Sequence, residues 1–281
     1  MAERRFRIWR GNDQGGDFEA FDEEVSEGMV VLDVLHVIQA RQAPDLAVRW
    51  NCKAGKCGSC SMEINGKPRL ACMTRMNIFE ADETITVQPL KTFPVVKDLV
   101  SDVSWNYQQN QRIAPFKVKA PGPDGKHRMY QEDVDRVQEF RKCIECFLCQ
   151  NVCHILRDRD GKDRFVGPRF MIRAAGLEMN PLDDRDRVPE VRAEYGSGMC
   201  NITRCCTEVC PEGINITDNG IIPMKERVVD RYYDPLRLVG RKLFGIRKRK
   251  EPESYTVPAQ PQPRSQNTTK GSNTAKSKQD E

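Results

Sequence analysis

Twelve cysteines fall into three groups of four with none outside them, and this constrains the chain more than any other feature. The groups are Cys52, Cys57, Cys60 and Cys72, then Cys143, Cys146, Cys149 and Cys153, then Cys200, Cys205, Cys206 and Cys210. A disulfide framework needs an oxidising compartment. The chain opens on the charged stretch MAERRFRIWR, without the apolar run of a secretory signal, and nowhere has the roughly 18 apolar residues of a membrane span. The expectation is a protein that is neither exported by the common route nor itself spans a membrane, and whose thiolates bind metal. With 45 basic against 41 acidic residues, a net charge of +4 does not point to nucleic acid as a partner. A length of 281 residues with 38% hydrophobic content suits two modest cores, not one large enzyme fold.

The spacing narrows the metal chemistry. Gaps of four and two residues between Cys52, Cys57 and Cys60, with Cys72 after a further eleven, are those of a plant-type ferredoxin loop holding a [2Fe–2S] cluster. Gly55 and Gly58 let the backbone approach the cluster closely and turn N–H groups toward the sulfurs. A zinc site, the competing reading, favours paired two-residue gaps and explains the four-residue gap poorly. Cys143, Cys146, Cys149 and Cys153 follow the two, two, three spacing of a bacterial ferredoxin run, with His154 where proline usually stands. Aligning Cys200, Thr203, Cys206 and Cys210 gives the same spacing, ends in Cys210-Pro211, and puts threonine at the second ligand position. In two-cluster ferredoxins the fourth cysteine of each run ligates the other cluster. The rule assigns Cys143, Cys146, Cys149 and Cys210 to a [4Fe–4S] cluster. It leaves Cys153, Cys200 and Cys206 for a [3Fe–4S] cluster, since threonine is a poor iron ligand. Cys205 is read as a small buried residue, the alternative being a fourth ligand to the third cluster.

Hydrophobic alternation places short strands at Arg5 to Trp9, Phe18 to Phe21, Met62 to Ile64 and Ile85 to Val87, a hairpin turn at Asn65-Gly66, and a helix at Val30 to Ala40. A polar stretch, Asn106 to Arg112, and a Pro/Gly loop, Ala120 to Lys126, separate strand-like from helix-like sequence. Helical spacing resumes at Val134, Val137 and Phe140, and again at Met224 to Tyr233. The expected fold is α+β: a small mixed domain over 1–105, a mainly helical domain over 106–240, then a basic segment and a polar, disordered tail over 241–281. His36, in an apolar helical stretch, is read as a packing residue. The basic run RKLFGIRKRK is either a solvated face or a surface against anionic headgroups.

A plant-type loop followed by a helical dicluster module with one deficient site resembles the iron–sulfur subunits of succinate dehydrogenases and fumarate reductases. The resemblance rests on RWNCKAGKCGSC, RLAC, CIECFLCQNVC and CNITRCCTEVCPEGI, whose wording is similar to the actinobacterial type. It implies a β-grasp ferredoxin domain followed by a bacterial dicluster domain. It also implies an FAD-containing flavoprotein partner, a transmembrane cytochrome b anchor with haem b, and a place on the cytoplasmic face of the cell membrane. Electrons would pass from succinate at the flavin through the [2Fe–2S], [4Fe–4S] and [3Fe–4S] clusters to quinone. Ubiquinone-reducing relatives often have proline and tryptophan where this chain has His154 and Asp158. Menaquinone is therefore the expected acceptor, with His154 a candidate on the quinone side. The reverse reaction, fumarate reduction, and a cluster subunit of a heterodisulfide-type reductase are the alternatives. A zinc scaffold without redox function is the reading from another class.

Overall fold

A computed structural model describes residues 2–158, 160–236 and 239–240. The basic run and polar tail expected over 241–281 lie outside the described residues. The first module is a five-stranded mixed sheet wrapped over one helix. Strands β1 (Ala2–Asn12) and β2 (Gly15–Val25) form a long antiparallel hairpin, α1 (Val31–Arg41) follows, and β3 (Ser61–Ile64), β4 (Lys67–Leu70) and β5 (Ile85–Gln88) complete the sheet. The spatial order is β2-β1-β5-β3-β4, with β1 parallel to β5 and the other pairs antiparallel. Period-two alternation turns Phe6, Ile8, Ile64, Ile85 and Val87 inward, where they meet Leu32, Leu35 and Ile38 of α1. The helix starts where the Asp33 carboxylate accepts the Val30 N–H, and its end is tied to β2 by Arg41 and Gln42 on the buried Glu23 carboxylate.

A small ribbon of β6 (Val95–Lys97) and β7 (Val100–Ser101) leads out of this module. The buried Asp98 between them accepts the N–H groups of Gly11 and Ala47 and pairs with Arg10, which fixes the chain's approach to the first cysteine loop.

The second module is built from short helices: α2 (Ser104–Arg112), α3 (Gln131–Gln138), α4 (Leu148–Val152), α5 (His154–Arg157), α6 (Gly161–Arg164), α7 (Pro168–Glu178), α8 (Val188–Ala193), α9 (Cys205–Glu208) and α10 (Ile222–Tyr232), the last entered through a π-helical turn at Ile216–Ile221. The polar stretch read as a separator is thus largely a helix. Asn106 and Gln109 on it are buried, Asn106 holding the Val103 carbonyl and accepting from Gln150. Helix α7 is the most enclosed, with Phe170, Met171, Ile172, Ala174 and Ala175 at 0–1% exposure. The loop at 120–126 and the helices expected near Val134 and after Met224 are present.

The modules are fastened by a buried polar knot. Glu63 on β3 is fully buried and takes Gln88 and Lys91 from its own module, and Asn151 (2.8 Å) and Arg157 (3.2 Å) from the other. Thr92 donates its N–H and hydroxyl to Asn151, each at 3.0 Å.

Candidate iron–sulfur sites

All twelve cysteines are free thiols. In the first group the β3–β4 hairpin returns Cys72 beside Cys60, its N–H 3.5 Å from the Cys60 Sγ, while the loop before it carries Cys52 and Cys57. The N–H groups of Ala54 and Lys56 point at the Cys52 sulfur at 3.4 and 3.3 Å, and that of Cys52 at the Cys57 sulfur at 3.5 Å. These donors flank Gly55, whose φ of +67° makes the turn. Burial raises the Cys57 thiol, but hydrogen bonds from Cys52 and Ser59 outweigh it and bring the thiol down to about 6. Cys60 is pushed up to about 12 by burial, with the Cys72 N–H lowering it and the Cys72 thiol raising it. Gly58 has a further role that the spacing did not suggest: its missing side chain makes room for the second loop. A Cβ there would lie 2.5 Å from the Cys146 Cα.

The second and third groups share one backbone pattern. Two and four residues after Cys143, Glu145 and Phe147 take left-handed φ values of 56° and 61°; two and four residues after Cys200, Ile202 and Arg204 take 62° and 64°. Such values are uncommon outside glycine, so their repetition at equal offsets supports aligning Thr203 with Cys146. Cys143, Cys146, Cys149 and Cys210 line one cavity. Burial pushes the Cys146 thiol up to about 12, with repulsion from Cys143 and Cys210 adding to it. Burial likewise raises Cys143, to which Cys210 contributes. The second set comprises Cys153, raised by burial and then by Cys200 and Cys205, and Cys206, raised to about 11 by burial and then by Cys200, Cys205 and Cys153. Cys210 therefore lies with the second group and Cys153 with the third. Cys205 is not the buried residue expected: it is partly exposed at the start of α9, its Sγ 2.9 Å from the Thr203 hydroxyl.

The donor sets fit iron–sulfur clusters. Buried, mutually repelling thiols are poor thiolates unless cations neutralise them. A cluster spreads its thiolates over several irons, which neutralise them. The cavity holding the Cys143 set also contains Arg169, whose buried Nε has no hydrogen-bond partner. Neither Arg169 nor the knot at Glu63 was foreseen from sequence. The start of the helix bearing Arg169 was legible in Gly167-Pro168, since proline favours the first helical position. His154 is exposed beside Cys153. His36 packs edge-on against Trp50, ring centres 4.8 Å apart, with Nε2 buried and unpartnered.

Residues 5–108 match the family described as a 2Fe-2S iron-sulfur cluster binding domain, and residues 139–214 a 4Fe-4S dicluster domain. The chain is 31% identical to the succinate dehydrogenase iron-sulfur subunit of Paracoccus denitrificans over 81% of this chain and 89% of that one. It is 34% identical to the fumarate reductase iron-sulfur subunit of Mycobacterium tuberculosis over 70% and 81% respectively. It spans only 42% of a fumarate reductase (CoM/CoB) polypeptide of Methanothermobacter marburgensis, at 30% identity. A chain of the solved Mycobacterium smegmatis Sdh1 complex in the apo form is similar at 60% identity and a TM-score of 0.81, over 84% of this chain and 99% of that one. The chain belongs to the iron–sulfur subunit family of succinate dehydrogenases and fumarate reductases.

Proposed function

We propose that this chain is the electron-relaying subunit of a membrane-associated succinate:quinone oxidoreductase, with a working division near residue 105. Cys52, Cys57, Cys60 and Cys72 hold a [2Fe–2S] cluster, Cys143, Cys146, Cys149 and Cys210 a [4Fe–4S] cluster, and Cys153, Cys200 and Cys206 a [3Fe–4S] cluster. The observation that carries the reading is the crossing of Cys210 and Cys153 between the two later groups, as a two-cluster ferredoxin requires. Bound at these sites, the clusters supply one-electron centres that divide a two-electron oxidation into single transfers. The chain's own part is to hold them close together. The Ala54, Lys56 and Cys52 N–H groups counter sulfur charge, Gly58 brings the first loop onto Cys146, and Cys146, Cys149, Cys153 and Cys206 are buried in the second and third sites.

The partners in this reading are an FAD-containing flavoprotein, where succinate becomes fumarate, and a transmembrane cytochrome b anchor with haem b on the cytoplasmic face of the cell membrane. Menaquinone is the acceptor, with His154 toward the quinone side. Among the described residues no helix is long and apolar enough to cross a membrane, consistent with attachment through an anchor. Likeness to the M. tuberculosis fumarate reductase subunit keeps the reverse direction as a second reading. Electron paramagnetic resonance on the anaerobically purified complex tests the scheme. An oxidised three-iron signal that disappears on adding succinate, with a reduced [2Fe–2S] signal appearing, is expected. Zinc without iron, or clusters that do not respond to succinate, would overturn it. Reoxidation of the reduced complex by fumarate faster than by menaquinone would favour the reverse direction.

A further inference from the structure

The thiol set of Cys143, Cys146, Cys149 and Cys210 has a charged neighbour that ligation does not use. Arg169, the second residue of α7, is 6% exposed and lines the same cavity. Its Nη2 donates to Glu145 Oε1 at 2.5 Å, and Glu145 lies between Cys143 and Cys146 in the loop. Its backbone N–H is fixed by the Oε1 of the fully buried Gln150 at 3.2 Å. A guanidinium keeps its charge at any working pH, and enclosing one without full pairing is unfavourable. This one has a single carboxylate for a partner and a leftover Nε donor buried beside the thiols. At the matching place in the third group, Ile202 replaces Glu145, so that half lacks the carboxylate.

Adding an electron to a cluster adds negative charge, so a nearby cation stabilises the reduced form and a nearby anion the oxidised form. The two side chains are unequally screened, at 8% exposure for Arg169 and 38% for Glu145. The cation is therefore the stronger influence. We infer that Arg169 raises the reduction potential of the second cluster and that Glu145 trims the effect, so the pair sets the level of the relay's middle step. This rests on the cluster assignment proposed above.

Potentiometric titration followed by paramagnetic resonance on the purified complex, wild type against Arg169→Gln, Arg169→Lys and Glu145→Gln, tests it. Arg169→Gln should lower the reduced-to-oxidised ratio of the four-iron cluster at fixed potential about tenfold, or about 59 mV for a one-electron couple. Glu145→Gln should shift it the opposite way and by less, and Arg169→Lys should stay nearer wild type than Arg169→Gln. The other two clusters serve as references whose midpoints stay in place. A merely structural role would lower iron content or move both charge variants in one direction, and either result without opposite shifts would overturn the inference. Should Arg169→Gln not assemble the cluster, Glu145→Gln decides, since an unshifted midpoint there overturns it. A wild-type complex with no four-iron signal would remove the ligand assignment itself and this inference with it.

Discussion

At Gly58 the chain has no room for a methyl group, because a Cβ would meet the Cys146 Cα at 2.5 Å and the backbone sits at φ +67°. Gly58→Ala should cost about 1–2 kcal/mol for the left-handed conformation and roughly 1–3 kcal/mol for overpacking. The check is a lower thermal midpoint and reduced iron content in the purified complex; a variant matching wild type in both would refute the contact. The crossing of ligands makes a second residue-scale prediction. Cys210→Ser should remove the four-iron signal and spare the three-iron one, and Cys206→Ser should do the reverse. Loss of the three-iron signal alone from Cys210→Ser would mean that the runs are not crossed.

Among the elements, the end of α7 carries a pH dependence. Burial, its main cause, raises the Glu178 carboxyl above its ordinary 4.5, and the Arg187 N–H that it accepts only partly offsets this. A carboxyl raised on folding favours the native state below its unfolded value, and that contribution is lost as pH climbs through the raised value. Glu178→Gln, which keeps an acceptor for Arg187, should therefore gain stability relative to wild type as pH rises from about 5 toward about 7. Thermal midpoints across that range check it, and parallel curves would count against it. The elements also show what sequence could reveal. Strands with clean alternation were legible, as was the Asn65-Gly66 turn, whose φ values of 47° and 72° are those a two-residue hairpin needs. The β1–β2 pair runs farther than its apolar core, because ladder hydrogen bonds continue through exposed polar residues that carry no periodic signal. Helix α2 was missed for a related reason: its buried positions are Asn106 and Gln109, held by hydrogen bonds that no hydrophobic pattern announces. In the sites, the grouping of the cysteines was legible because metal chemistry fixes residue type and spacing. Arg169 was not, since its role depends on a fold that brings α7 to a loop 24 residues earlier.

For the whole molecule, Glu63 is the joint. One fully buried carboxylate holds Gln88 and Lys91 on one side and Asn151 and Arg157 on the other, and Asn151 lies in the cysteine run itself. Glu63→Ala would strand the buried Asn151 amide, at about 1–3 kcal/mol, while Lys91 and Arg157, 57% and 40% exposed, can turn to water. Denaturant unfolding of the complex should show the loss, with earlier proteolytic cleavage between the modules; a shift below about 1 kcal/mol would mean that apolar contact alone joins them. The repeated left-handed pairs, Glu145 with Phe147 and Ile202 with Arg204, bear on how such a module changes over descent. On the ligand assignment proposed above, the half with three thiolates repeats both left-handed bends of the half with four, so gaining or losing an iron corner there is a one-residue event that needs no new loop. The first loop has no such latitude, because its neighbour presses on a bare backbone. Variation in iron number among related chains should accordingly gather at the position of Thr203, with the loop around Gly58 left unchanged.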